Sequence, residues 1–264
     1  MTPLDVSCIP AFTDNYLWLL TQAGNSHAVV VDPGDATVIL SALQARRLQL
    51  SAILVTHHHR DHVGGILTLL EHYPQAEVWG PFNENIPGRS RALKGGEQLS
   101  LPGLPFRVAV LAVPGHTLGH IAYLFSAAAE VPLLFGGDTL FGGGCGRLFE
   151  GSPAQMLASL TQIAGLPADT LVYCGHEYTA VNLAFAQHVE PDNKNLQQRI
   201  ERVQALRAQG YATVPFTLGE EWATNPFLRA DSATIRASAE KHAGQPLTTI
   251  LDVFTHLRHW KNHF

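Results

Sequence analysis

Ile53-Leu54-Val55-Thr56-His57-His58-His59-Arg60-Asp61-His62 is the stretch on which the reading of this chain turns. An apolar run of strand type ends in a segment that carries four side chains able to coordinate metal: His57, His59, Asp61 and His62. A compact loop at a strand end lets the four converge, and neutral imidazole together with carboxylate suits borderline divalent cations. One ion rarely takes all four donors from so short a segment. His58 lies between two of them, and alternation along an extended loop turns it away, towards packing or a supporting hydrogen bond.

Outward from this stretch the same pattern recurs at three more strand ends. Val113-Pro114-Gly115-His116-Thr117, Phe135-Gly136-Gly137-Asp138 and Cys174-Gly175-His176 each join an apolar run to glycine and then to a donor residue. Glycine lets the backbone turn tightly beside a crowded site. Together with the first stretch they give seven candidate donors: His57, His59, Asp61, His62, His116, Asp138 and His176. The bland reading of His72, His120 and His188 is likewise packing or a supporting hydrogen bond. His242, His256, His259 and His263 fall on amphipathic helices among Arg and Lys, where a solvated face outweighs a further metal site.

Around the donors the chain reads as mixed α/β. Strand-like runs are expected at residues 6–12, 16–21, 27–31, 52–55, 77–79, 105–113, 121–125, 132–135 and 171–174, with helices at 38–48 and 64–73. Ser152-Pro153 resembles an N-cap followed by Pro in the first turn, and Leu157, Leu160 and Ile163 give that helix an apolar face. Many short strands imply more than one sheet. From about residue 178 the character changes to helices, at 180–188, 195–209, 233–242 and 247–260. The expected division is a catalytic domain at 1–178 and an α-helical, substrate-binding domain at 179–264.

Composition narrows the function. The chain has 264 residues, 46% hydrophobic and 15% charged, with a net charge of -5, which fits a folded protein and gives no basic surface for nucleic acid. The first residues lack a basic segment followed by a long apolar one, and no later run reaches the roughly 18 apolar residues of a membrane span. Cys8, Cys145 and Cys174 are three cysteines without CxxC spacing, so neither a disulfide framework nor a zinc ribbon is expected. A cytoplasmic, monomeric protein without nucleic-acid or membrane partners is the expectation.

The set THxHxDH, then a GHT histidine, a GGD aspartate and a GHE histidine, resembles the metallo-β-lactamase superfamily, whose fold is an αβ/βα sandwich with a binuclear metal centre. The resemblance implies that His57, His59 and His116 hold one ion, that Asp61, His62 and His176 hold the other, and that Asp138 bridges them. Within the superfamily the chain is most similar to the glyoxalase II (hydroxyacylglutathione hydrolase) branch. Thr13-Asp14-Asn15-Tyr16, Gly144-Cys145-Gly146-Arg147, Cys174-Gly175-His176-Glu177-Tyr178-Thr179 and Asn225-Pro226-Phe227-Leu228-Arg229 carry that likeness, as does the helical C-terminal part. The implied activity is hydrolysis of an S-(2-hydroxyacyl)glutathione thioester, S-D-lactoylglutathione above all, to glutathione and D-lactate, a step of methylglyoxal detoxification. The implied cofactors are two divalent ions, zinc first, with iron or manganese compatible.

The donor types support this chemistry by themselves. Two cations about 3.5–4 Å apart share a water and lower its pKa from about 15.7 towards about 7, which supplies hydroxide at neutral pH. Asp61 and Asp138 then fix the charge and geometry of the pair, and the cations stabilise the tetrahedral oxyanion. A thiolate of parent pKa about 8.5 leaves without a general acid, so none is assigned. Resemblance places the glutathione contacts at Arg147, Tyr178, Arg258 and Lys261, the last two at i and i+3 on the final helix and able to clamp a carboxylate together. Phe149 departs from the Tyr of some relatives, and Cys145 reads as buried filler rather than a nucleophile. An iron-dependent persulfide-oxidising branch, a nuclease and a non-catalytic metal binder are the competing classes. The helical tail, the acidic balance and the number of donors respectively argue against them.

Overall fold

The computed structural model describes residues 2–264. Leu4–Ala11, Asn15–Gln22, His27–Val31, Gln49–Leu54, Glu77–Pro81 and Arg91–Leu93 form one sheet in that order. The first three strands run antiparallel and the rest continue parallel. Parallel neighbours need a crossover, and helices Ala36–Arg46 and Ile66–His72 stand in two of them. Their Ile39, Leu43, Ile66 and Leu69 pack with Leu17, Leu19, Val30, Ile53 and Val55 of the sheet in one buried cluster.

Alternation sends the other side chains of the same strand the opposite way. The Trp18 ring meets Tyr173 edge-on at 5.0 Å, its indole N–H donates to the Cys174 carbonyl at 3.1 Å, and Tyr173 stacks on Phe135 at 4.8 Å. Tyr173 and Phe135 belong to the second sheet, ordered Phe216–Thr217, Leu171–Cys174, Leu133–Gly137, Ile121–Phe125, Arg107–Ala112 and Gln98–Ser100. Asn15–Gln22 is therefore buried on both faces, by helices on one side and a sheet on the other, which is the αβ/βα sandwich.

The chain forms two compact units. One comprises the residues up to Ala112 with Gly119–Gly137 and Tyr173–His176; the other comprises Val113–Leu118, Asp138–Val172 and Glu177–Phe264. In the second unit helix Pro153–Ala164 starts on the expected N-cap, Ser152, which also closes a capping box with Gln155. Its buried positions are Met156, Ser159, Leu160 and Ile163, so the apolar face is centred one position before the expected Leu157, which is only half-buried. Thr179–Val189, Lys194–Ala208, Ala233–Ala243 and Ile250–Asn262 are the expected C-terminal helices. The last begins three residues later than expected, because Thr249 and Asp252 close a capping box there.

Three features escape the pattern reading. Arg91–Leu93, Gln98–Ser100, Leu140–Phe141, Gly144–Cys145 and Phe216–Thr217 are strands too short to show a period. Helix Leu218–Thr224 is capped by Thr217, whose hydroxyl accepts from the Glu220 amide. The helix expected at 64–73 runs over Ile66–His72, and a separate helical turn, Arg60–Val63, stands before it across Gly64 and Gly65 where a loop was expected. A Cβ on Gly65 would lie 2.5 Å from the Pro33 carbonyl oxygen, and the Gly65 amide donates to that oxygen at 2.9 Å. The break lets the 33–36 turn press against the metal-type residues' own helical turn.

Candidate metal centre

The first unit gathers five of the seven donors. His57 ends the run after Gln49–Leu54, Asp61 and His62 ride on the turn Arg60–Val63, and His176 follows Leu171–Cys174. His57, His62 and His176 are at most 5% exposed. The Asp61 carboxylate lies 3.5 Å from His62 Nε2 and 3.3 Å from His176 Nε2, while His57 Nε2 faces His59 Nδ1 at 3.0 Å. In the second unit His116 Nε2 lies 3.4 Å from the Asp138 carboxylate, and both residues are buried. Within the first unit, donor atoms of Asp61, His62 and His176 all fall within 4.8 Å of one another.

What orients the imidazoles is a set of acceptors on their far nitrogens. His62 Nδ1 donates to Asp32 at 3.0 Å, His176 Nδ1 to Asp14 at 2.8 Å, and His116 Nδ1 to the Arg147 carbonyl at 2.8 Å. The Thr56 hydroxyl donates to Asp32 at 2.7 Å and is 3.0 Å from His57 Nδ1, so its oxygen accepts from that ring. A ring whose Nδ1–H is spent in this way presents Nε2 as a lone pair. In the first unit three rings so fixed stand with the Asp61 carboxylate, and in the second His116 stands with Asp138; imidazole with carboxylate suits divalent cations, and the buried Asp138 carboxylate beside a neutral imidazole calls for such compensation.

Sequence reasoning did not single out Asp32. It is 3% exposed, its carboxylate also accepts from the Thr56 amide at 2.7 Å, and it holds a left-handed φ of 51°. That conformation costs an L-residue roughly 1–2 kcal/mol and persists because the carboxylate is pinned on three donors. The available signal was an Asp-Pro-Gly turn directly after the strand His27–Val31. Thr13-Asp14-Asn15-Tyr16 is explained likewise: Asp14 accepts from His176, and the Asn15 amide donates to Asp61 at 2.9 Å. Asp32→Asn turns one acceptor into a donor facing His62 and is expected to weaken metal binding about 10–100-fold, measured by competition with a chromophoric chelator.

His58 and His120 follow the bland reading of packing or support, whereas His72 and His188 lie exposed. His58 pairs with Glu84 at 3.0 Å, and His120 stacks on His57 at 4.7 Å. His242 Nδ1 is 2.8 Å from His256 Nε2 and its ring stacks on Trp260, with no third donor gathered there among the described residues. Burial pushes the Cys145 thiol up, against the pull of Arg258, so it stays protonated and unreactive. Phe149 is 64% exposed and meets His116 edge-on at 5.3 Å.

Of the basic and hydroxyl residues, Arg147 is exposed and Tyr178 is about one-third exposed, its ring against Phe141. Arg258 is not on a solvated face: it is 5% exposed, its guanidinium donates to the Cys145 carbonyl at 2.7 Å and lies over Phe227. Lys261 is half-buried, its ammonium 3.3 Å from the Val181 carbonyl. Burial, reinforced by Arg258 and Arg147, brings its pKa down to about 8.

The sequence pattern of the metallo-β-lactamase superfamily matches residues 13–176, and the chain belongs to that superfamily. Residues 177–264 match the C-terminus characteristic of hydroxyacylglutathione hydrolases. A hydroxyacylglutathione hydrolase of Photobacterium profundum is 51% identical over 99% of this chain and 100% of its own length; one from Alkalilimnicola ehrlichii is 52% identical over 98% of each. Within the superfamily the chain therefore belongs to the hydroxyacylglutathione hydrolase, or glyoxalase II, family. Among solved structures, ETHE1 from Myxococcus xanthus shares the fold with a TM-score of 0.67 at 24% identity, over 97% of this chain and 90% of that one. TTHA1623, solved in a di-iron-bound form, has a TM-score of 0.58 at 27% identity, over 84% of this chain and 99% of that one.

Proposed function

We propose that the chain hydrolyses S-(2-hydroxyacyl)glutathione thioesters, S-D-lactoylglutathione first among them, and so works in methylglyoxal detoxification. The observation that carries the reading is that the imidazoles have Nδ1 held by an acceptor, which turns Nε2 towards a carboxylate or another imidazole: His57, His62 and His176 with Asp61 in the first unit, His116 with Asp138 in the second. Kinship of about 50% over nearly the whole chain to hydroxyacylglutathione hydrolases supports the substrate. In this reading His57, His59 and His116 hold one divalent ion, Asp61, His62 and His176 the other, and Asp138 serves both. Zinc is the first candidate, and iron and manganese suit the same donors. Such ions supply Lewis acidity and a water acidified to near neutrality.

The residues of the chain do the rest. Asp61 and Asp138 balance the charge of the pair, and Asp14, Asp32 and the Arg147 carbonyl keep the rings from turning. Water adds to the thioester carbonyl, the C–S bond breaks, and the glutathione thiolate leaves without a general acid because its parent pKa is about 8.5. The helical residues 179–264 serve as the substrate-binding domain. Lys261 and Arg258, with Arg147 and Tyr178, meet the tripeptide's carboxylates and amides. A cytoplasmic location fits both a glutathione substrate and three cysteines that form no disulfide.

The Lys261 part of this reading is tested by pH. As pH rises through about 8 the ammonium loses its proton, so the charge offered to an anionic substrate disappears. KM for S-D-lactoylglutathione is expected to rise several-fold between pH 7 and pH 9, whereas Lys261→Arg keeps its charge and flattens the rise. Parallel pH profiles in the two proteins would remove Lys261 from the substrate site.

A further inference from the structure

Asn225-Pro226-Phe227-Leu228-Arg229 lies far along the chain from every donor residue, and the chemistry above leaves it without a role. Its Asn225 is fully buried and uses all of its amide. Nδ2 donates to the Gly144 carbonyl at 3.0 Å and to Glu221 at 2.8 Å, and Oδ1 accepts from the Phe227 amide at 3.0 Å. Glu221, also fully buried, accepts from the Gly143 amide at 2.9 Å and is paired with Arg199. Arg258 donates to the next carbonyl, that of Cys145. Three side chains of the helical C-terminal segment thus hold the backbone of three consecutive residues, 143–145.

That backbone is one arm of a hairpin in which Leu140 faces Cys145 and Phe141 faces Gly144. The hairpin leaves from Asp138 and returns at Gly146, whose amide donates to the Thr139 carbonyl at 3.1 Å. A Cβ on Gly146 would lie 2.0 Å from the Asp138 carbonyl oxygen, so the two ends are in direct contact. The following residue supplies the Arg147 carbonyl that accepts from His116 Nδ1 at 2.8 Å. One end of the hairpin therefore carries the Asp138 carboxylate and the other carries the group that aims His116. Between them run Gly142, Gly143 and Gly144, which have no side chains of their own to stiffen the turn.

We propose that Asn225 is a positioning residue for the metal centre: by anchoring Gly144, with Glu221 and Arg258 on either side, it holds Asp138 and the Arg147 carbonyl where His116 needs them. The proposal rests on the reading of His116 and Asp138 as metal ligands. Partners that orient ligands in this way are worth about 10–100-fold in metal affinity.

Asn225→Asp keeps the size and the Phe227 contact but replaces a donor with an acceptor against the Gly144 carbonyl and buried Glu221. Zinc affinity, read by chelator competition on the full chain, is expected to fall about 10–100-fold for one of two equivalents. Asn225→Ala, which deletes the donor without adding charge, gives the same readout should the Asp variant not fold. Thr224→Val is the control: its hydroxyl accepts from Arg199 at 2.6 Å in the same buried network, yet makes no bond to residues 143–145. It is expected to lower Tm and leave zinc affinity unchanged. Wild-type zinc affinity in the Asn225 variants, or equal losses in the Asn225 and Thr224 variants, would overturn the proposal. A wild-type protein that takes up no zinc would instead overturn the metal-centre reading beneath it.

Discussion

Asp138→Ala is expected to lose metal and turnover together. Its carboxylate is buried and faces His116 Nε2 at 3.4 Å. No exposed carboxylate can replace it there, because Asp138 and the His116 it faces are themselves buried. Removing charge stabilisation worth several kcal/mol lowers kcat by about 10³-fold. Metal content, by elemental analysis after gel filtration, should drop below two equivalents. The chelated proteins should show the opposite order: without cations a buried carboxylate is a cost, so metal-free Asp138→Ala should melt no lower than metal-free wild type. Full metal content and turnover in the variant would remove Asp138 from the centre.

Metal removal from the wild type has the second large effect. Ligand binding to the folded state alone stabilises by about 2.7 kcal/mol at a hundredfold excess over Kd, which for a chain of this size corresponds to roughly 5–10 °C in Tm. Chelation is expected to lower Tm by at least that amount and to abolish turnover, and returning zinc, iron or manganese should restore both. The metal that restores the higher kcat at matched occupancy identifies the working ion. An unchanged Tm after complete chelation would mean that the donor set does not hold cations tightly.

The donors were legible because each follows an apolar strand and a turn, so their chemistry and placement are both local. Thr56 to His62, Gly115-His116, Gly137-Asp138 and Gly175-His176 all come to rest where the strand pattern puts them. Their orienting partners were not legible, since Asp32 meets His62 across thirty positions and Asp14 meets His176 from the other end of the domain. Such pairs are created by sheet order, which no local period records. Arg258 illustrates a different limit. Spacing of i and i+3 put it beside Lys261, but it also stands at i+4 from Phe254, on the face formed by Val253, Phe254 and Leu257, and that face is buried. The guanidinium accordingly goes to the Cys145 carbonyl, and Arg258→Ala should cost fold stability as well as substrate binding.

The boundaries missed in the fold have equally local causes. Gly64-Gly65 keeps the turn Arg60–Val63 apart from helix Ile66–His72 because a backbone turn packs there, a contact invisible in the helix's own sequence. Thr217 with Glu220 was a readable capping signal, hidden by Gly219 in a helix of seven residues.

The most direct measurement is the rate at which the purified protein removes the thioester absorbance of S-D-lactoylglutathione, before chelation, after it, and after return of metal. Hydrolysis at enzyme-like rates that vanishes on chelation and returns with metal is the expected result. Metal-replete protein that leaves the thioester intact would contradict the assignment of a glutathione thioester hydrolase.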